Sequence, residues 1–128
     1  MPTAGDFYEC TLKEAHLGWG ELGPSREDHN RSELEAYIPI SKNVAERLLI
    51  YKQVDYNGRS SDGFLNCTVR ATGSRSAGDP FAKQFQTKGD LREMGRWLKG
   101  HCGAVPGDIV RVEFTSQNDV VFTYIQVP

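Results

Sequence analysis

Cysteine is scarce in this 128-residue chain: Cys10, Cys67 and Cys102 form an odd set with no close pair. That spacing points away from a disulfide framework and from a thiolate metal knuckle. His16, His29 and His101 lack a ligand spacing such as i, i+4, so neither a structural metal nor a cofactor is expected. His101 and Cys102 are adjacent, but nothing nearby in sequence supplies the orienting group that a catalytic pair needs. Long hydrophobic runs are missing too: none approaches the about 18 residues of a membrane span. Met1 to Asp6 lack the basic and apolar parts of a signal peptide. An intracellular, cytoplasmic protein without membrane contact is therefore the expectation. There is no internal repeat, and the formal net charge of −2 gives no global attraction to nucleic acid.

What the chain does have is local. Between Arg70 and Lys99 stand seven basic residues (Arg70, Arg75, Lys83, Lys88, Arg92, Arg96, Lys99) against three acids (Asp79, Asp90, Glu93). A chain polarised in this way can offer one basic face to an acidic partner. The same region organises the fold. An extended segment, Phe81 to Gln86, leads to a helix from Asp90 to Lys99, then a Gly107-Asp108 turn and a strand from Ile109 to Phe114. Asp90 and Glu93 have the spacing of a capping box. Leu91, Met94, Trp97 and Leu98 share one helical face, with Trp97 as core.

The remaining elements follow from alternation and punctuation. Phe7 to Ala15 reads as a strand, followed by a long polar loop, at about 16–35, rich in glycine. Glu35 to Ile40 is a short strand that Pro39 confines to an edge or an end. Ser41 caps a helix, Lys42 to Leu49, with Val44, Ala45, Leu48 and Leu49 inward. Tyr51 to Tyr56 is an extended run that leads into Asn57-Gly58, which reads as a hairpin turn prolonged to Gly63. Phe64 to Thr72 alternates cleanly, with Leu65, Cys67, Val69 and Ala71 on one face. Ser116 to Asp119 turns into a final strand, Val120 to Val127. Short strands with hairpin turns predict a mainly β, seven-stranded open pseudobarrel of one domain, 1–128, with two short helices over its ends.

Several polar residues stand where they can meet DNA. Arg26, His29, Asn30 and Arg31 in the first long loop all donate hydrogen bonds, to phosphate or to base edges. Arg75, flanked by Ser74 and Ser76, has the reach for guanine or phosphate. Lys83 and Lys88 suit phosphate. Gln84 and Gln86 share a strand face and match the donor-acceptor pattern of adenine. Lys83 is expected on the other face, with Phe81 and Phe85.

Tyr37-Ile38-Pro39-Ile40-Ser41, followed by a short amphipathic helix, resembles the strand-proline-helix start of B3-type DNA-binding pseudobarrels. Phe81 to Trp97, then Pro106-Gly107-Asp108 and an apolar strand, resembles the second half of that fold. The stretch Ala82 to Leu91 leans toward the prokaryotic branch, the target-recognition domains of certain restriction endonucleases. The resemblance implies two arms that grip the major groove of double-stranded DNA. The first arm would be the loop with Arg26, His29, Asn30 and Arg31. The second would be the segment from Arg70 to Gln86. It also implies a recognition role in a restriction or defence system.

Asp79, Asp90, Asp108 and Glu113 are the candidate carboxylates for cleavage, but their pattern does not make a converging metal site with a lysine beside it. No catalytic activity is expected from this chain alone. A nuclease would be a separate domain or subunit, and the chain itself a monomer or weak homodimer. Two other readings remain open at this point. One is a ligand- or protein-binding barrel whose mouth is lined by Trp19, Tyr37, Tyr51 and Tyr56. The other is a partner domain that uses an Ile38 or Val120–Ile125 edge.

Overall fold

The sharpest alternation in the chain, Ile109 to Phe114, buries every second residue: Val110, Val112 and Phe114 are fully enclosed. This strand and its neighbours build the barrel seen in a computed structural model of the protein, which describes residues 2–13, 16, 36–73 and 76–127. In chain order the strands are β1 (Phe7–Thr11), β2 (Ile38–Pro39), β3 (Val54–Ser60), β4 (Asn66–Thr72), β5 (Gln84–Thr87), β6 (Ile109–Phe114) and β7 (Asp119–Ile125). Helix α1 (Lys42–Leu48) follows β2, and α2 (Glu93–Gly95) follows β5 and continues as a π-helical stretch, Arg96–His101.

The seven strands form one sheet in the order β1-β6-β7-β3-β4-β5-β2. All neighbours are antiparallel except β3 and β7, which run parallel from Asn57↔Asp119 to Ser60↔Phe122. The sheet curls until its two end strands, β1 and β2, face each other across a seam. The Tyr8 hydroxyl crosses it and donates to the Pro39 carbonyl at 3.0 Å. Pro39 thus lies on an edge strand, where its missing N–H costs no ladder bond. β7 is an interior strand between β6 and β3, so Val120–Ile125 is not a free edge.

Asn57-Gly58 is not a turn. Both residues lie inside β3, and the chain reverses later, at 61–64, where Gly63 has φ +81°. The dipeptide is there for packing. A Cβ on Gly58 would sit 2.8 Å from Val69 Cγ1 and 3.2 Å from the Cys67 carbonyl oxygen. Gly58→Ala is therefore expected to destabilise the fold by about 1–3 kcal/mol through overpacking. Urea denaturation checks it, and an unchanged midpoint would assign the glycine to chain freedom instead.

Both helices are shorter than their periodicity suggests. Ser41 Oγ accepts from Val44 N at 3.3 Å, and Ala45 and Leu48 are buried. Leu49, expected inward, is 41% exposed because it forms the left-handed C-cap at φ 59°. In α2 the Asp90/Glu93 capping box does not form. Asp90 accepts from Arg92 N at 3.0 Å, while Glu93 turns its carboxylate to Arg96. Gly95, a weak helix former, precedes the change of register. Beyond it, Cys102 N–H reaches back five residues to the Trp97 carbonyl at 2.8 Å.

Met94, Trp97 and Leu98 are fully buried, as their shared face requires. They close a core in which Phe85 meets Tyr56 at 5.8 Å and Phe122 at 5.8 Å between ring centroids, and Trp97 meets Phe122 at 6.3 Å. Trp97 Nε1 donates to Asp62 Oδ2 at 3.0 Å, which ties the helix to the β3–β4 turn. Asp62 also accepts from Phe64 N at 3.0 Å and from the Ser60 hydroxyl. Burial works to raise its pKa, but the hydrogen bonds from Ser60, Trp97 and Phe64 and the nearby His101 outweigh it, so the carboxyl stays below its ordinary value. Among the described residues, no helix is long and apolar enough to cross a membrane.

Candidate nucleic-acid interface

Two long connections leave this barrel, one from β1 to β2 and one from β4 to β5. Their feet flank the short strand β5. The first connection returns through Ala36 and Tyr37 to Ile38, which pairs with Phe85. The second leaves from Thr72, which pairs with Gln84, and comes back through Lys83, whose N–H bonds the Thr72 carbonyl at 2.9 Å. From Gln84 to Thr87 a strand advances about 10 Å. The outer face of β5 and its neighbour β4 therefore lies between the residue where the first connection rejoins the sheet, Ile38, and the two ends of the second, Thr72 and Gln84.

Strand register decides what stands on that face. Val69, Ala71, Phe85 and Thr87 point into the barrel and are buried. Their neighbours point out. Arg70 pairs with Asp55 on one side and with Gln86 on the other, which makes one polar row across β3, β4 and β5. Thr72 and Gln84 form the row on one side of it, and Asn57 and Thr68 the row on the other. Gln84 Nε2 donates to Gln86 Oε1 at 3.4 Å, so the two glutamines do share a face.

Arg70 and Lys88 converge on one carboxylate. Arg70 Nε lies 2.7 Å from Asp55 Oδ1, and Lys88 Nζ lies 2.7 Å from Asp55 Oδ2. The hydrogen bond from Arg70, then the one from Lys88, pull the Asp55 pKa down to about 2. Asp55 and Lys88, with Asn57, Thr68, Gly89 and Asn118, line an open, polar depression of about 660 Å³.

Lys83 departs from its expected place. It is exposed while Phe85 is fully buried, so the two do not share a face. The strict alternation breaks between Ala82 and Phe85, both buried, where Ile40 N–H takes the Lys83 carbonyl at 2.9 Å. The Lys83 stem lies against Gly73, whose φ of +87° and missing Cβ leave room for it. Ser76 is exposed in the same connection. Arg26, His29, Asn30, Arg31, Ser74 and Arg75 lie outside the described residues, as does Trp19.

Arg92 and Arg96 are committed elsewhere. Both pair with Asp90, at 3.1 and 2.8 Å, and Arg96 also pairs with Glu93. On the outer face of β1 and β6, Arg111 is shared by Glu9 at 3.6 Å and Glu113 at 3.8 Å. That face carries two carboxylates to one cation, a different balance from the β4–β5 face.

The four carboxylates weighed for cleavage each hold local structure. Asp79 accepts from Phe81 N at 2.9 Å, Asp90 serves the arginines, and Glu113 faces Arg111. Asp108 is buried and accepts from Val105 N and Val127 N, both at 3.1 Å, and from the Tyr124 hydroxyl. Those bonds, Tyr124 first, hold its carboxyl below the usual range. The tyrosines of the ligand reading have separate partners: Tyr56 packs in the core, Tyr51 stacks on Phe81 at 5.3 Å, and Tyr37 meets His16 edge-on at 5.2 Å.

Asp55, Asn57, Thr68 and Gln53 are the residues of this face that sequence reasoning missed. The signal was present, since Asp55, Asn57 and Arg59 alternate with Tyr56, Gly58 and Ser60. The Asn-Gly dipeptide concealed it by reading as a turn.

No family model and no curated protein matches the chain. Among solved structures, the N-terminal domain of Helicobacter pylori LlaJI.R1 aligns with a TM-score of 0.59 at 12% identity, over 95% of this chain and 88% of that one. The protein of the Arabidopsis FUS3–DNA complex aligns with a TM-score of 0.59 at 17% identity, over 96% of this chain and 100% of that one. At these identities the likeness carries the architecture: the chain is a B3-like pseudobarrel, mostly β with two short helices and one seam.

Proposed function

We propose that this chain binds double-stranded DNA sequence-specifically through the major groove, as the recognition component of a restriction or defence system in the prokaryotic cytoplasm. One observation carries the reading: Arg70, Gln84 and Gln86 stand on a single outer face, framed by the feet of two long polar connections. The FUS3 structure of the same fold is a DNA complex. In this reading the first connection brings Arg26, His29, Asn30 and Arg31, and the second brings Ser74, Arg75 and Ser76. Gln84 and Gln86 read base edges, while Lys83 and Lys88 hold phosphates. A cleavage activity belongs to a separate domain or subunit, and the chain acts on its site as a monomer or weak homodimer.

Selection from a randomised duplex pool at two salt concentrations tests this. A defined sequence should be enriched at low salt. Its affinity should fall steeply as salt rises, by about 0.9 in log–log slope for each phosphate neutralised. No enrichment and no retention at low salt would remove the proposal.

A further inference from the structure

We propose that Asp55 is a positioning residue that presets Arg70 to read a guanine, an inference that rests on the DNA-binding reading above. A guanidinium has five N–H groups in a planar fork. In Arg70, Nε donates to Asp55 Oδ1 at 2.7 Å and Nη2 to Asp55 Oδ2 at 3.4 Å. Nη1 donates to Gln53 Oε1 at 3.5 Å. Two N–H groups remain, one on each terminal nitrogen, and they form the parallel pair along the end edge of the fork when Gln53 takes the Nη1 hydrogen on the Cδ side. That pair matches guanine O6 and N7, the commonest bidentate base contact.

The supports are themselves fixed. Lys88 Nζ lies 2.7 Å from Asp55 Oδ2, the oxygen that also accepts from Arg70 Nη2, and helps to hold the carboxylate. Gln53 has a left-handed backbone at φ 66°, unusual for a side chain of its kind. Its N–H bonds the Ala71 carbonyl at 2.6 Å, and its Nε2 reaches Thr72 Oγ1 at 3.5 Å. Such strain persists only where surrounding structure over-determines it, and it clusters at functional sites. Arg70 keeps a side-chain exposure of 35% in this clamp, so the fork is ordered and still accessible. A carboxylate on a DNA-facing surface repels phosphate. Its place there follows if the order it imposes on Arg70 outweighs that repulsion.

The test measures binding of the full chain to the selected duplex and to its three single-base variants at each position. Asp55→Asn removes a negative charge, so affinity for unrelated DNA should hold or rise. Preference for guanine at one position should fall, by roughly 5- to 150-fold if the bidentate contact is lost. Arg70→Lys keeps the charge but not the fork and should lose preference at that same position. The double variant should lose little more than either single one, since both act through one contact. An Asp55→Asn protein that gains affinity for every sequence alike, with the guanine ratio unchanged, would overturn the inference. So would losses at different positions in the two variants. Should Asp55→Asn fail to fold, Arg70→Lys and Gln53→Ala decide it: a ratio unchanged in both sinks it. A wild-type chain that binds no duplex at all would instead strike the function on which this rests.

Discussion

Trp97→Ala is expected to lower the free energy of unfolding by about 3–5 kcal/mol, the range for truncating a buried aromatic. Trp97 is fully buried, lies against Phe122 and closes the barrel end. Its indole N–H also holds Asp62, the acceptor that shapes the β3–β4 turn. A domain of this size typically has about 5–15 kcal/mol to lose, so the variant should stand near the limit of folding at physiological temperature. Trp97→Phe separates the two contributions. It drops the hydrogen bond, a cost of about 1 kcal/mol for a partly exposed acceptor, and keeps most of the packing apart from the small void left by the smaller ring. Urea denaturation followed by far-UV circular dichroism measures both. If Trp97→Ala unfolds within 1 kcal/mol or so of the parent, the helix is an ornament on the barrel and not its plug.

Gln84→Ala should relax base preference by roughly 5- to 150-fold at one position, the discrimination carried by a single bidentate amide–adenine pair. Gln84 stands half-buried at the foot of the second connection, with its amide held to Gln86 at 3.4 Å. It is close to the duplex in the proposed complex and has no backbone duty to lose. Lys83→Ala gives the contrast. An exposed lysine with no carboxylate partner among the described residues should act on phosphate alone. Its loss should weaken all sequences alike and flatten the salt dependence by about 0.9 in slope. Competition binding against single-base variants, at two salt concentrations, distinguishes them. A uniform loss in Gln84→Ala with intact preference would move that glutamine from reading bases to holding the backbone.

The asymmetry between what was legible and what was not has physical causes. The faces of β4 and β6 could be read because a strand's alternation is set by its own residues: Val69 and Ala71 face inward, and Arg70 outward, whatever lies beside them. The Ser41 cap is local in the same way, satisfied within three residues. Gly58 misled because the same residue type serves two needs, a left-handed turn or a close approach. Only the presence of Val69 across the sheet chooses between them. Lys83 was assigned to the wrong face because a ladder constraint from Ile40 and Thr72 interrupts the alternation. The helix that continues as a π-helical stretch was read as one regular helix, since its apolar stripe is the same in either form.

The amino-acid sequence alone determined a β-rich chain of short strands, with an inward stripe legible on β4 and β6, two short helices of which the first is capped by Ser41, and a basic middle segment. Those are properties of neighbours within a few residues. Tertiary structure decided which strands meet, and with that which side chains share a surface. Asp55 reaches Arg70 and Lys88 only because β3 pairs with β4 and β4 with β5, across 15 and 33 residues of chain. Strand pairing at that separation depends on the closure of the whole sheet, and no window of sequence contains it.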